Sequence, residues 1–301
     1  MFLRFTFALA SMLCVVLVAQ GRPAPPHNPL AELIGHLSWR HDAAWFGGFS
    51  GLEISPDGKR FVAITDRAYV VRGQLERRDD KITGIAVTDH FPMLDTDGRP
   101  LNGNRSDSEG LAIAADGRMF VSFELLHRVF VFPTPEGIPD WAAHHNGFNR
   151  LAKNGSLEAL AVDAQGRLYT LPETMPGRAD FPVFRHQRQG SGQYWDQPFD
   201  LPRRDGFAPV GADFGPDGRL YLLERALYPM AFRSRVRAFT LDGDRIVDED
   251  VVLETRLGAF GNLEGLAVWR DATGAMRLTM IADNNFLPIF PTQIVEYRLK
   301  E

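Results

Sequence analysis

Along the chain, apolar residues alternate with polar ones in short runs joined by turn residues, and one such pattern recurs. Each copy opens on a small or acidic residue and a Gly-Leu-like pair, and continues as alternating apolar residues. It then turns at a Gly and returns as a second apolar run ending in an acid. The first two copies are Ser50-Gly51-Leu52 through Asp57-Gly58 to Asp66, and Glu109-Gly110-Leu111 through Asp116-Gly117 to Glu124. The third and fourth are Glu158-Ala159-Leu160 through Gln165-Gly166 to Glu173, and Val210-Gly211-Ala212 through Asp217-Gly218 to Glu224. The fifth is Glu264-Gly265-Leu266 through Thr273-Gly274 to Asp283. Asp-Gly between two alternating runs predicts a β-hairpin, because Gly accepts the positive φ of a tight turn.

The Leu52-equivalent positions are 59, 49, 52 and 54 residues apart, which is room for four short strands. Phe61–Ile64 and Met119–Phe123 read as second strands, and Arg235–Leu241 turning at Asp242-Gly243 as a third leading into a fourth. Four-stranded units at this period are propeller blades. Solenoids normally use shorter units with capped ends, and a β-sandwich has no reason to repeat one hairpin. The expected fold is all-β: a propeller of five four-stranded blades, or six if one copy is degenerate. The C-terminal run Gln293–Leu299 leaves its blade one strand short, and Glu32–Leu37 supplies that strand and closes the ring.

Composition narrows the function. The chain has 301 residues, 45% of them hydrophobic and 24% charged, which rules out wholesale disorder. With 33 Lys and Arg against 38 Asp and Glu, it lacks the basic face that a nucleic-acid binder needs. Arg4 followed by the apolar run Phe5–Ala19 and the small residues Ala19-Gln20-Gly21 reads as a signal peptide over 1–21. The run is shorter than a membrane span. The single cysteine, Cys14, lies inside it, so the processed chain has neither disulfide nor thiolate chemistry. The Pro-rich stretch 22–29 reads as a linker and 30–301 as one propeller domain. A periplasmic or secreted monomer is expected, with no membrane contact after signal cleavage.

The repeat also places candidate chemistry. In each hairpin the first strand begins and the second ends on the side away from the turn, so both points lie near one rim. Glu109, Glu158 and Glu264 open first strands; Asp66, Glu124, Glu173, Glu224 and Asp283 end second strands. So many acids on one rim need balancing cations. Inter-blade pairs with Arg67, Arg128 and Arg225 are one balance. The other is a hard divalent cation such as Ca²⁺, held by Glu109, Glu158, Glu264, Asp283 and Asn284, although Asp283-Asn284-Asn285 also reads as a turn. In the cation reading Asp66 or Glu124 orients or deprotonates a water, and Arg67 and Arg128 meet developing negative charge. His127 is then a candidate general base. Ser50 takes the place of a first-strand acid, as a substrate contact or to leave room in the channel. No nucleophile elbow, phosphate-cradling loop or dinucleotide fingerprint is present, and no organic cofactor is expected.

Phe46–Leu52, Ile64-Thr65-Asp66-Arg67, Ser108–Ala112, Asn154–Leu160, Gly211-Ala212-Asp213 with Leu223-Glu224-Arg225, and Asn262–Leu266 resemble the phytase-like domain of exported bacterial proteins. That family is labelled "esterase-like activity of phytase". The resemblance runs over about 44–299 and implies an exported propeller acting on a small-molecule ester or phosphoester. A sugar-acid lactonase is a close variant, and a non-catalytic binding propeller is the alternative from another class.

Overall fold

The computed structural model describes residues 30–189, 192–229, 231–286 and 290–300. The expected signal segment 1–21 and linker 22–29 lie outside the described residues. The described chain forms five antiparallel four-stranded sheets, the blades of a propeller. The strand β1 (Ala31–Trp39) comes first in sequence and is used last. Blade 1 runs outward through β2 (Phe49–Ile54), β3 (Arg60–Thr65), β4 (Tyr69–Arg78) and β5 (Lys81–Pro92). Blade 2 is β6 (Ser108–Ile113), β7 (Met119–Phe123), β8 (Arg128–Phe132) and the short β9 (Asp140–Trp141). Blade 3 is β10 (Leu157–Val162), β11 (Leu168–Pro172), β12 (Phe181–Gln189) and β13 (Gly192–Leu201). Blade 4 is β14 (Ala208–Phe214), β15 (Leu220–Tyr228), β16 (Ala231–Asp242) and β17 (Arg245–Glu254). Blade 5 is β18 (Asn262–Arg270), β19 (Met276–Asp283) and β20 (Thr292–Leu299), with β1 outermost. Five blades complete the ring, and the sixth is not needed.

The local causes are those read from the sequence. The five turn glycines, Gly58, Gly117, Gly166, Gly218 and Gly274, all have φ between 69° and 91°, where a Cβ is strained. Asp57, Asp116 and Asp217 each accept the N–H two residues on, at 3.1, 3.1 and 3.2 Å, and so fix the turns. Apolar side chains of the strands fill the five seams between blades, one buried cluster per seam.

The inner strands β2, β6, β10, β14 and β18 stand side by side around the axis, with β18 against β2. A Cβ at Gly110 would come within 2.5 Å of the Leu160 Cβ, so glycine at this level is what lets neighbouring inner strands approach. Leu52, Leu111, Leu160 and Leu266 close the channel down to a cavity of about 10 Å³, no more than one water's worth. A small molecule therefore meets the propeller at its mouth.

Ring closure rests on β1, which pairs antiparallel with β20 from Ala31↔Leu299 to Trp39↔Thr292. Trp39 stacks on Phe49 of blade 1 at 4.9 Å between centroids, so the closing strand also ties the first blade to the last. Deleting residues 30–40 is expected to expose the β20 edge and give aggregation. Light scattering and melting curves of the truncated chain check this, and a soluble, equally stable product would remove the closing role.

Candidate functional site

The inner strands carry a β-bulge at one repeated point. The pairing register slips between Phe49 and Gly51, Ser108 and Leu111, Leu157 and Ala159, Pro209 and Gly211, and Leu263 and Gly265. The slips fall at Ser50, Glu109, Glu158, Val210 and Glu264, the first-strand positions of the repeat. A bulge re-aims its residue out of the ladder's alternation.

The second-strand positions need one correction. In the observed register Thr65, Phe123, Pro172, Glu224 and Ala282 are equivalent, each paired with the inner-strand residue before the bulge. The next residues, Asp66, Glu124, Glu173, Arg225 and Asp283, form the ring at the mouth. Glu224 is therefore one residue out of step with the other four acids. It lies within β15, opposite Arg235, and is fully buried between Arg235 and Arg237. Blade 4 thus brings Val210 and a cation, Arg225, to the mouth where the other blades bring acids.

Arg225 serves the blades on either side. It pairs with Glu173 of blade 3 at 2.8 Å and with Glu264 of blade 5, and donates to Asn262 Oδ1 at 2.6 Å. Glu264, expected as a cation ligand, has one oxygen taken by Arg225 and Asn262.

Blade 2 has no such ion pair at the mouth, and only the Arg128 charge pulls against its acids. Asp107, Glu109 and Glu124 place carboxylate oxygens within 4.8 Å of one another, and none of the three makes an ion pair among the described residues. Glu158 of blade 3 joins the group, because Glu109 and Glu124 act on its carboxyl as Glu124 acts on that of Asp107. Carboxylates this close repel one another, and a proton or a cation among them relieves it. Burial, then the neighbouring acids Glu124, Glu264, Asp107 and Asp66, hold Glu109 well above the usual carboxylate range. Glu158 is raised well above it too, by burial and then by Glu109 and Glu124, and Asp107 is pushed up to about 6 by burial and Glu124. Asp107 escaped the sequence reading because it precedes the repeated strand. Its only signal is its place two residues before Glu109.

Blades 1 and 5 bring a second pair. Asp283 is 5% exposed, and its Oδ1 is buried with no hydrogen-bond partner; burial, then Glu264 and Asp66, raise it well above the carboxylate range. Asp66 Oδ1 is likewise buried and unpartnered, packed where a Cβ on Gly48 would collide with it. Burial pushes Asp66 up to about 7, against the opposing pull of Arg67, with Glu264 and Asp107 adding to the rise. Asn284 is not free to join them as a ligand: its Oδ1 accepts the N–H groups of Gly48 and Phe286, at 3.3 and 3.0 Å, as a turn former does.

The remaining candidates brace the mouth. Glu124 is 6% exposed and its Oε1 accepts the N–H groups of Gly155 and Ser156. Both ring nitrogens of His127 face backbone carbonyls, Phe148 O at 2.8 Å and Ala152 O at 2.9 Å, so neither is turned to the mouth as a base would be. Arg128 donates to the carbonyls of Leu126 and Arg105. Ser50 donates to Ser108 O at 2.7 Å, linking blades 1 and 2. Arg67 is exposed and lies over the Phe286 ring at 3.2 Å from its centroid, which leaves its charge at the rim.

Asp66 makes the site pH-sensitive in a stated direction. Its folded pKa of about 7 lies above the ordinary 3.8, so its stabilising contribution is present below about pH 4 and is lost as pH rises through about 7. With a chelator present, the wild type is expected to lose melting temperature relative to Asp66→Asn between those limits. Paired melting curves measure it, and a constant difference across the window would refute the shift.

The family model described as "Phytase-like: Esterase-like activity of phytase" matches residues 44–286. No curated protein matches significantly. Among solved structures, the PQQ-bound aldose sugar dehydrogenase of Streptomyces coelicolor is similar at 15% identity and a TM-score of 0.46, over 90% of this chain and 99% of that one. A gluconolactonase of Xanthomonas campestris is similar at 14% identity and a TM-score of 0.45, over 83% of this chain and 72% of that one. Likeness at that level transfers no substrate or cofactor. The family match, in contrast, runs from just before the first inner strand to the loop after β19, and the chain belongs to the phytase-like family, esterase-like activity of phytase.

Proposed function

We propose that this protein is a hydrolase of a small-molecule ester or phosphoester, with a sugar-acid lactone as a close variant, assisted by a divalent cation at the mouth. The observation that carries the reading is the convergence of Asp107, Glu109 and Glu124 within 4.8 Å, with no ion-pair partner among the described residues. The donor set is all oxygen and buried or half-buried, which fits a hard cation such as Ca²⁺. Asp107, Glu109 and Glu124 would hold it, with Glu158 beside them. When bound, such a cation polarises the scissile group and makes a water more acidic.

The chain's own residues supply the rest. Asp66, pushed up to about 7, is suited to take or give a proton near neutral pH. Arg67 at the rim offers a charge to an oxyanion or phosphate. Glu124 is held by the Gly155 and Ser156 N–H groups, and His127 fastens the loop that carries those groups to the end of β7. The partial burial of these carboxylates strengthens each charge interaction.

The deciding experiment is a hydrolysis screen over carboxylic esters, lactones and phosphoesters, with added Ca²⁺ and with a chelator. Hydrolysis that depends on Ca²⁺ and stops on chelation is expected. No hydrolysis of any class, together with cation binding at the mouth, would move the protein to the binding propellers.

A further inference from the structure

The mouth is lopsided, because blade 4 contributes Val210 and Arg225 where its neighbours contribute acids. On that side an open groove of about 430 Å³ lies between the β11–β12 loop of blade 3 and the link from β13 to blade 4, lined by Thr174, Met175, Pro176, Arg178, Ala179 and Arg203. Its volume is in the range of small-molecule sites. Most of its lining is apolar, and its two cations differ. Arg178 is balanced by Asp200. The Arg203 guanidinium lies over the buried Phe181 ring at 4.3 Å and makes no ion pair among the described residues. Its backbone N–H, not its charge, meets Asp180, at 3.2 Å. The groove therefore carries one guanidinium without a salt-bridge partner among the described residues, stacked on Phe181, with the Asp180 carboxylate beside its backbone.

The groove shares a wall with the acid cluster. Thr174 donates to Gly155 O through its N–H at 2.8 Å and its hydroxyl at 3.3 Å, and the Gly155 N–H is held by Glu124. A Cβ on Gly155 would lie 2.7 Å from Thr174 Oγ1 and 3.2 Å from Glu173 Oε2, so this one glycine touches both groove and mouth. Glu173, on the mouth side of Gly155, is paired with Arg225. An anion entering here meets Asp180 and the paired Asp200, but not the acid cluster of blade 2.

We propose that this groove binds the non-reacting arm of the substrate, and that this arm is apolar and ends in a single anionic group set against Arg203. The arm would lie in the groove while the reacting end reaches the carboxylates of blade 2; that placement rests on the hydrolase reading, but the groove's preference for an apolar anion does not. Any singly charged anion, carboxylate or sulfonate, satisfies the same chemistry.

The test needs no turnover. The probes are 4-phenylbutyrate and its uncharged amide, 4-phenylbutyramide, titrated by calorimetry into wild type, Arg203→Gln, Arg203→Lys and Glu109→Gln. The acid is expected to bind wild type at least fivefold tighter than the amide. Arg203→Gln should bring that ratio below twofold while leaving amide affinity in place, and Arg203→Lys should keep most of it. Glu109→Gln should leave the ratio unchanged, since it acts only at the mouth. Equal binding of acid and amide by wild type, or an unchanged ratio in Arg203→Gln, overturns the proposal. A retained ratio in a protein that hydrolyses nothing supports the groove and sinks only the hydrolase reading.

Discussion

Glu224→Ala is expected to destabilise the fold by about 3–5 kcal/mol, the cost of removing one partner from a buried ion pair. The melting temperature should fall by roughly 10 °C. Glu224, Arg237 and Arg235 have side-chain exposures of 0%, 0% and 1%, so no water replaces what is lost. The carboxylate accepts from Arg235 Nε at 2.8 Å and from Arg237 through Nε and a terminal nitrogen at 2.8 and 2.5 Å. Each arginine keeps one outer partner, Asp205 for Arg235 and Glu249 for Arg237, which places the loss toward the lower end of the range. Replacing all three together by Leu, Met and Met should recover much of it, because the desolvation cost of the charges disappears with them. Denaturant titrations of the single and triple variants measure both effects. A wild-type midpoint for Glu224→Ala would contradict the role, and the change should be the same with and without Ca²⁺.

That glutamate also marks where the sequence stops being readable. The five hairpins, the number of blades and the closing strand follow from apolar alternation and turn glycines, both local properties. Ladder register is not local. In blades 1, 2 and 3 the strand ends just before its acid, so Asp66, Glu124 and Glu173 fall at the mouth. In blade 4 the strand continues through Leu223-Glu224-Arg225-Ala226-Leu227, and a slip of one residue exchanges the face a side chain occupies. Arg225, first read only as a counter-ion, proves to be the fifth member of the ring. His127 illustrates a different limit. Its spacing from Glu124 suited a base, but its partners are carbonyls 21 and 25 residues away, contacts that only the folded loop creates. Asp107 was missed for the converse reason, being brought to Glu124 from outside the repeat.

Glu109→Gln should reverse its effect on stability according to whether Ca²⁺ is present. Without the cation, Glu109 is a buried carboxyl raised by burial and by Glu124, Glu264, Asp107 and Asp66. An amide of the same size removes that repulsion, so near pH 7 with a chelator the variant is expected to melt no lower than wild type. With Ca²⁺ at one hundred times its dissociation constant, a ligand that binds only the folded state stabilises wild type by about 2.7 kcal/mol. That is a rise of roughly 5–10 °C. A neutral amide in place of one of three carboxylates should weaken the cation by more than about tenfold, so most of that rise is lost and the variant melts below wild type. A structural ion pair at Glu109 would behave differently, because its loss lowers stability equally in both conditions. The two proteins are compared by melting curves across a Ca²⁺ titration, starting from chelator. Crossing curves place the cation on Glu109, whereas parallel curves, or a wild type that does not respond to Ca²⁺, remove it from the mouth.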